Sequence, residues 1–227
     1  MWDSRAPTVR VKKTSETFHF SLFIFHLSCY TRPVNEYSIV CNSVPIFYRR
    51  LGADGNRPLI LLHGNGEDGG IFGAAAQRFA QSGFTVYVPD ARGHGKSGKA
   101  PLSYTEMAGD MRAFIENLRL EKPLLYGFSD GGIIGLMLAY KTPGLLSKLA
   151  VSGVNLSPGA LKFSFRFWTR AAHFFTRSPL LRLMLKEPHI TSSDLARIAE
   201  PALVLAGERD IVPKKHTESV AAAIPCA

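Results

Sequence analysis

Three cysteines in 227 residues, Cys29, Cys41 and Cys226, show no C-x-x-C spacing and leave one unpaired. That excludes a disulfide framework and a zinc ribbon, and reduced or incidental thiols are expected. No apolar stretch reaches 18 residues, so the chain is not expected to insert stably in a membrane. There is no internal repeat and no low-complexity tract. Apolar residues make up 46% and charged residues 20%, which excludes wholesale disorder.

Acids are scarce in particular places. The net charge is +9, of which +3 sits in residues 1–35 and +6 in residues 158–186, a stretch with no acid at all. A nucleic-acid binder would spread basic residues over a folded face. None is expected as a partner here. Residues 18–30 form an apolar run behind four basic residues, with the charge order of a secretory signal. The run is too short to span a bilayer, and His26 and Leu27 do not suit a cleavage site. Residues 1–35 therefore read as an atypical extension, and a cytoplasmic location is the default.

From residue 36 onward the pattern is regular. Tyr37–Cys41 and Val44–Arg49 read as a hairpin through Asn42-Ser43. Pro58–Leu62, Thr85–Val88, Leu124–Phe128, Leu149–Val151 and Ala202–Ala206 read as strands, several apolar enough to be buried on both faces. Helices are expected over 72–82, 104–118 and 130–141. Strands alternating with helices imply an α/β fold, a mostly parallel sheet with helices on both faces and an antiparallel N-terminal edge.

Gly127-Phe128-Ser129-Asp130-Gly131 lies between an apolar strand and a helix. This is G-x-S-x-G in the strand-turn-helix context that gives it meaning. So sharp a reversal forces Ser129 into a strained backbone and needs glycine on either side. A plain glycine-rich turn with a capping serine is the bland alternative.

On these residues the chain from 37 onward resembles the α/β-hydrolase family, and three further motifs agree. His63-Gly64-Asn65-Gly66 is similar to the family's oxyanion loop. Asp90-Ala91-Arg92-Gly93-His94-Gly95-Lys96-Ser97 is similar to its structural turn, and Gly207-Glu208-Arg209-Asp210 to the turn that presents the triad acid. The resemblance implies a serine hydrolase acting on an ester, thioester or related acyl bond of a small molecule, with no cofactor and no metal. It implies Ser129 as nucleophile, Asp210 as acid, and the backbone N–H groups of Asn65 and Asp130 as oxyanion donors. His63, Phe128 and Trp168 are expected to line the substrate pocket, although the place of His63 in the oxyanion loop favours a structural ring. Residues 155–197 would be a helical lid, in which Leu161, Phe165, Trp168, Ala172 and Phe175 share one helix face and Lys162, Arg166 and Arg170 another.

One part of the family pattern is not found. After Asp210 the only histidine is His216, too close behind the acid to serve as the base. The family's last strand, helix and histidine loop are thus expected to be lacking, and the chain as written to be weak or inactive. A non-catalytic, ligand-binding relative stays open as an alternative. So does a dinucleotide fold, because Gly64-Asn65-Gly66-Glu67-Asp68-Gly69 is a literal G-x-G-x-x-G. Glu67 and Asp68 argue against it, since they would place two carboxylates beside a pyrophosphate.

Overall fold

The computed structural model describes residues 34–227. The apolar run at 18–30, Cys29 and nearly all of the expected extension lie outside the described residues. Seven strands form one sheet: β1 (Asn35–Cys41), β2 (Val44–Leu51), β3 (Arg57–Leu62), β4 (Phe84–Pro89), β5 (Leu124–Phe128), β6 (Lys148–Ser152) and β7 (Ala202–Leu205). Their spatial order is β1-β2-β4-β3-β5-β6-β7. β2 runs antiparallel to both β1 and β4, and every later pairing is parallel. The β1–β2 hairpin turns on Asn42 and Ser43, both at positive φ, as a tight two-residue loop between right-twisting strands requires.

Alternation along the strands divides the core. Ile60 and Leu62 of β3 join the larger cluster, while Leu59 and Leu61 join a smaller one on the opposite face. The larger cluster is covered by α2 (Tyr104–Asn117) and α3 (Asp130–Lys141), with α6 (Ser192–Leu195) and α7 (Lys214–Ala223) adding Leu195 and Val220. α3 is buried almost all round, which is why its sequence is apolar on every side. The smaller cluster is covered by α1 (Gly73–Gln81), through Phe72 just before it and Ala76. Beyond α1 that face holds a hollow of about 680 Å³ between Leu59, Leu61, Tyr126, Leu203 and Leu205.

Between β6 and β7 the chain forms α4 (Phe163–Thr176) and α5 (Pro179–Lys186). One expectation about α4 is corrected. Trp168 and Phe175, predicted on a common inward face with Phe165, are 70% and 82% exposed, and Thr169 is the buried residue of the helix. The apolar residues outnumber the positions that the neighbouring α5 can cover, so part of the arc faces outward.

Candidate active site

The backbone at the end of β5 brings one hydroxyl to the carboxyl edge of the sheet. Ser129 has φ 51° and ψ −115°, a region that non-glycine residues seldom occupy. Packing holds it there. Its N–H donates to the Ser152 carbonyl at 2.8 Å, and its own carbonyl accepts from Gly132 and Ile133 at 2.9 and 3.0 Å. A Cβ at Gly127 would lie 2.3 Å from the Gly131 oxygen, and one at Gly131 would lie 2.2 Å from the Leu62 oxygen. The glycines of the motif are therefore needed because backbone crosses backbone at both positions.

The Gly64–Gly66 loop at the end of β3 comes up beside this turn. A Cβ on Gly64 would be 3.2 Å from the Ser129 Cβ. Ser129, Phe128, Asn65 and Gly64 line a hollow of about 520 Å³, closed on the far side by Phe165 and Thr176 of α4 and by Leu180, Leu181 and Met184 of α5. The Asn65 side-chain amide donates to the Leu180 carbonyl at 3.2 Å and ties the loop to α5. The backbone N–H groups of Asn65 and Asp130 have no acceptor among the described residues. For Asp130 this is the ordinary state of a first-turn helix donor.

His63 does not line this hollow. Its ring is buried below the loop, where Ala91 N–H donates to Nε2 at 2.9 Å and Nδ1 donates to the Gly64 carbonyl at 2.8 Å. Burial pushes its pKa below the usual imidazole value. The ring is a neutral brace rather than a pocket wall. Trp168 also stands outside the hollow, on the outward side of α4.

The turn after β4 supports the loop from beneath. The Asp90 carboxylate is fully buried and accepts from Gly69 N–H at 2.9 Å, Lys96 N–H at 2.9 Å and Arg49 at 3.1 Å. Arg92 forms two parallel bonds to Asp110, at 2.6 and 2.7 Å. The literal G-x-G-x-x-G finds no use as an anion cradle. Gly64 N–H donates to the Glu67 carboxylate at 2.9 Å and Gly70 N–H to that of Asp68 at 2.6 Å. Donors that a pyrophosphate would need are taken by side-chain carboxylates.

Asp210 sits after β7 on the same edge of the sheet. Its carboxylate accepts from Val212 N–H at 3.0 Å and Gly207 N–H at 3.4 Å, and a Cβ on Gly153 would lie 3.3 Å from it and 3.9 Å from the Phe128 ring. None of the five described histidines lines a cavity with Ser129. His216 is half-buried and its Nε2 accepts from Leu156 N–H at 3.1 Å.

The side chain of Asp130 was missed by reasoning from sequence, which used only its N–H. The carboxyl is 5% exposed, and one of its oxygens is buried without a partner. Burial raises its pKa from 3.8 to about 7. The nearby Glu67 charge adds to this, and the Tyr104 hydroxyl and Asn65 amide oppose it. It shares with Ser129, Tyr104 and Glu187 a cavity of about 10 Å³. The available signal was a charged residue opening a helix that is otherwise apolar from Ile133 to Tyr140.

The family model described as "Serine aminopeptidase, S33" matches residues 56–202. The chain belongs to this family of α/β hydrolases. Among relatives of this S33 member, the serine hydrolase BPHL of Homo sapiens is 25% identical over 218 residues, covering 82% of this chain and 75% of that protein. The sn-1-specific diacylglycerol lipase ABHD11 of Mus musculus is 30% identical over 138 residues, covering 58% of this chain and 45% of the lipase. The esterase from Exiguobacterium antarcticum superposes with a TM-score of 0.72 at 19% identity, covering 83% of this chain and 87% of that one. At that identity the likeness is one of fold. No helix among the described residues is long and apolar enough to cross a membrane.

Proposed function

We propose that this S33 family member is a serine hydrolase that cleaves an ester, thioester or related acyl bond through an acyl-enzyme at Ser129. The observation that carries the reading is the strained Ser129 backbone, which faces the Asn65 loop across a hollow while both oxyanion N–H groups lack protein acceptors. In this reading Ser129 Oγ bonds to the acyl carbon, and the carbonyl oxygen takes the negative charge opposite the N–H groups of Asn65 and Asp130. Each such donor is worth about 2.7–4 kcal/mol by precedent. The leaving alcohol, thiol or amine departs protonated, and water then frees the acid and restores the serine.

Asp210 would orient and charge-stabilise a base. With no described histidine lining the cavity, the serine proton passes to water, and turnover rests on the oxyanion donors and binding, about 10³–10⁴ over the uncatalysed rate. The wall of Phe165, Leu180, Leu181 and Met184 suits an apolar acyl group. The relationship to a diacylglycerol lipase points the same way.

A fluorophosphonate probe followed by peptide mapping tests this. Ser129 should be labelled faster than exposed serines such as Ser193, and Ser129→Ala should remove that label. Labelling of Ser129 no faster than Ser193 in folded protein would leave a hydrolase-like binding protein instead.

A further inference from the structure

We propose that α4 is a docking surface for an anionic lipid bilayer. At about 100° per residue, Phe163, Phe167, Trp168, Phe174 and Phe175 fall within one arc of roughly 140°. All five are exposed, from 55% at Phe167 to 82% at Phe175. The opposite stripe is what holds the helix to the protein, because Phe165 and Thr176 line the Ser129 hollow and Thr169 is buried. An aromatic crest of this size is costly in water and marks a contact surface.

The charge beside the crest names the contact. Arg166, Arg170 and Arg177 fall on one flank of the arc, and the Arg177 guanidinium lies 5.3 Å from the Phe174 ring centre; Lys162 precedes the helix and donates from Nζ to the Asp210 carbonyl at 2.6 Å. None of the six basic residues of 158–186 forms a salt bridge with another described residue. A 14-residue helix is too short to span a bilayer, but aromatics at the crest and cations on the flank suit one lying in the headgroup plane. Nucleic acid would need the cations at the crest. A second copy packed antiparallel, α4 on α4, would set basic flank against basic flank. The surface stands apart from the hydrolase reading, and if both hold, the helix that walls the acyl hollow rests on the membrane.

The test is flotation of the full chain with vesicles of phosphatidylcholine alone or with about 30% phosphatidylglycerol. A Trp2→Phe background leaves Trp168 as the sole tryptophan. The chain should float with the anionic vesicles and be released by high salt, with Trp168 emission moving to shorter wavelength. The Trp168→Ala/Phe175→Ala pair should lower the partition by about tenfold or more. Arg166→Gln/Arg170→Gln should weaken it about fivefold per charge on anionic vesicles only. Ser129→Ala should bind as the parent does, so vesicle binding and serine labelling fail or succeed separately. Flotation undiminished in the aromatic variant would place the membrane contact elsewhere and overturn the proposal. So would absence of flotation in folded protein, binding to duplex DNA without binding to vesicles, or self-association that shields Trp168.

Discussion

The turn after β5 and the turn after β7 present the two proposed catalytic side chains, and they are built in opposite ways. At the first, main chain crosses main chain on both sides of Ser129, and the loop is fixed by β3, β6 and α3 together. At the second, a Cβ on Gly207 would meet nothing within 4 Å, and Asp210 is held mainly by N–H groups of its own turn. Among the described strands β7 is the edge of the sheet, with Leu203 and Leu205 exposed. A nucleophile fixed by the whole core keeps a strained backbone, whereas an acid fixed by its own loop keeps only local order.

The sharpest way to break this contrast is to add the same kind of bulk to each turn. Gly131→Ala puts a Cβ 2.2 Å from the Leu62 oxygen, so no cooperative thermal transition should remain. Gly207→Ala, at ordinary φ with open space around it, should stay within about 0.5 kcal/mol of the parent. Circular dichroism melts of the two variants decide it. Comparable losses at both positions would mean that the turn after β7 is as tightly built as the serine elbow, the turn after β5.

The Asp130 carboxyl gives the next largest effect. Its pKa is about 7 in the fold against 3.8 unfolded, so the folded state holds the proton more tightly. Stability is therefore full at low pH and is lost as pH rises from about 4 through 7, by on the order of 4 kcal/mol at most. Asp130→Asn keeps the shape without the charge. It should melt above the parent at pH 8, with the difference closing by pH 4. A pH-independent difference would mean that the carboxyl is neutralised by partners rather than isolated by burial.

What could be read from sequence follows the same division. Strands such as Leu124–Phe128 announce themselves because burial on both faces demands an unbroken apolar run, and the elbow because only glycine tolerates such close backbone crossings. The outward arc of α4 was not legible. Helical spacing groups Phe165, Trp168 and Phe175 on one broad face, but does not tell that only its Phe165 edge turns to the hollow while the other two face outward. The structural role of His63 was favoured by its place in the oxyanion loop, but the partner that holds it was not legible. The second ring contact, with Ala91 N–H, comes from a residue 28 positions away.

The smallest effect separates the two turns by chemistry rather than bulk. His216 follows Asp210 closely, yet its Nε2 is occupied by Leu156 N–H, and burial depresses its pKa below 6.5. A ring that must be neutral to accept this bond loses it on protonation, so its contribution is present above about pH 6.5 and falls away as the pH drops. His216→Ala should cost about 1 kcal/mol at pH 8. That cost should shrink as the pH is lowered below about 6.5, since burial then opposes the charge the ring takes up in the unfolded chain. The rate of fluorophosphonate labelling at Ser129 should stay within about twofold of the parent, because the ring lines no cavity with that hydroxyl. A base contributes about 10²–10⁴ to such a step. A fall of that size would make His216 the proton acceptor and would require the turn after β7 to move toward the elbow.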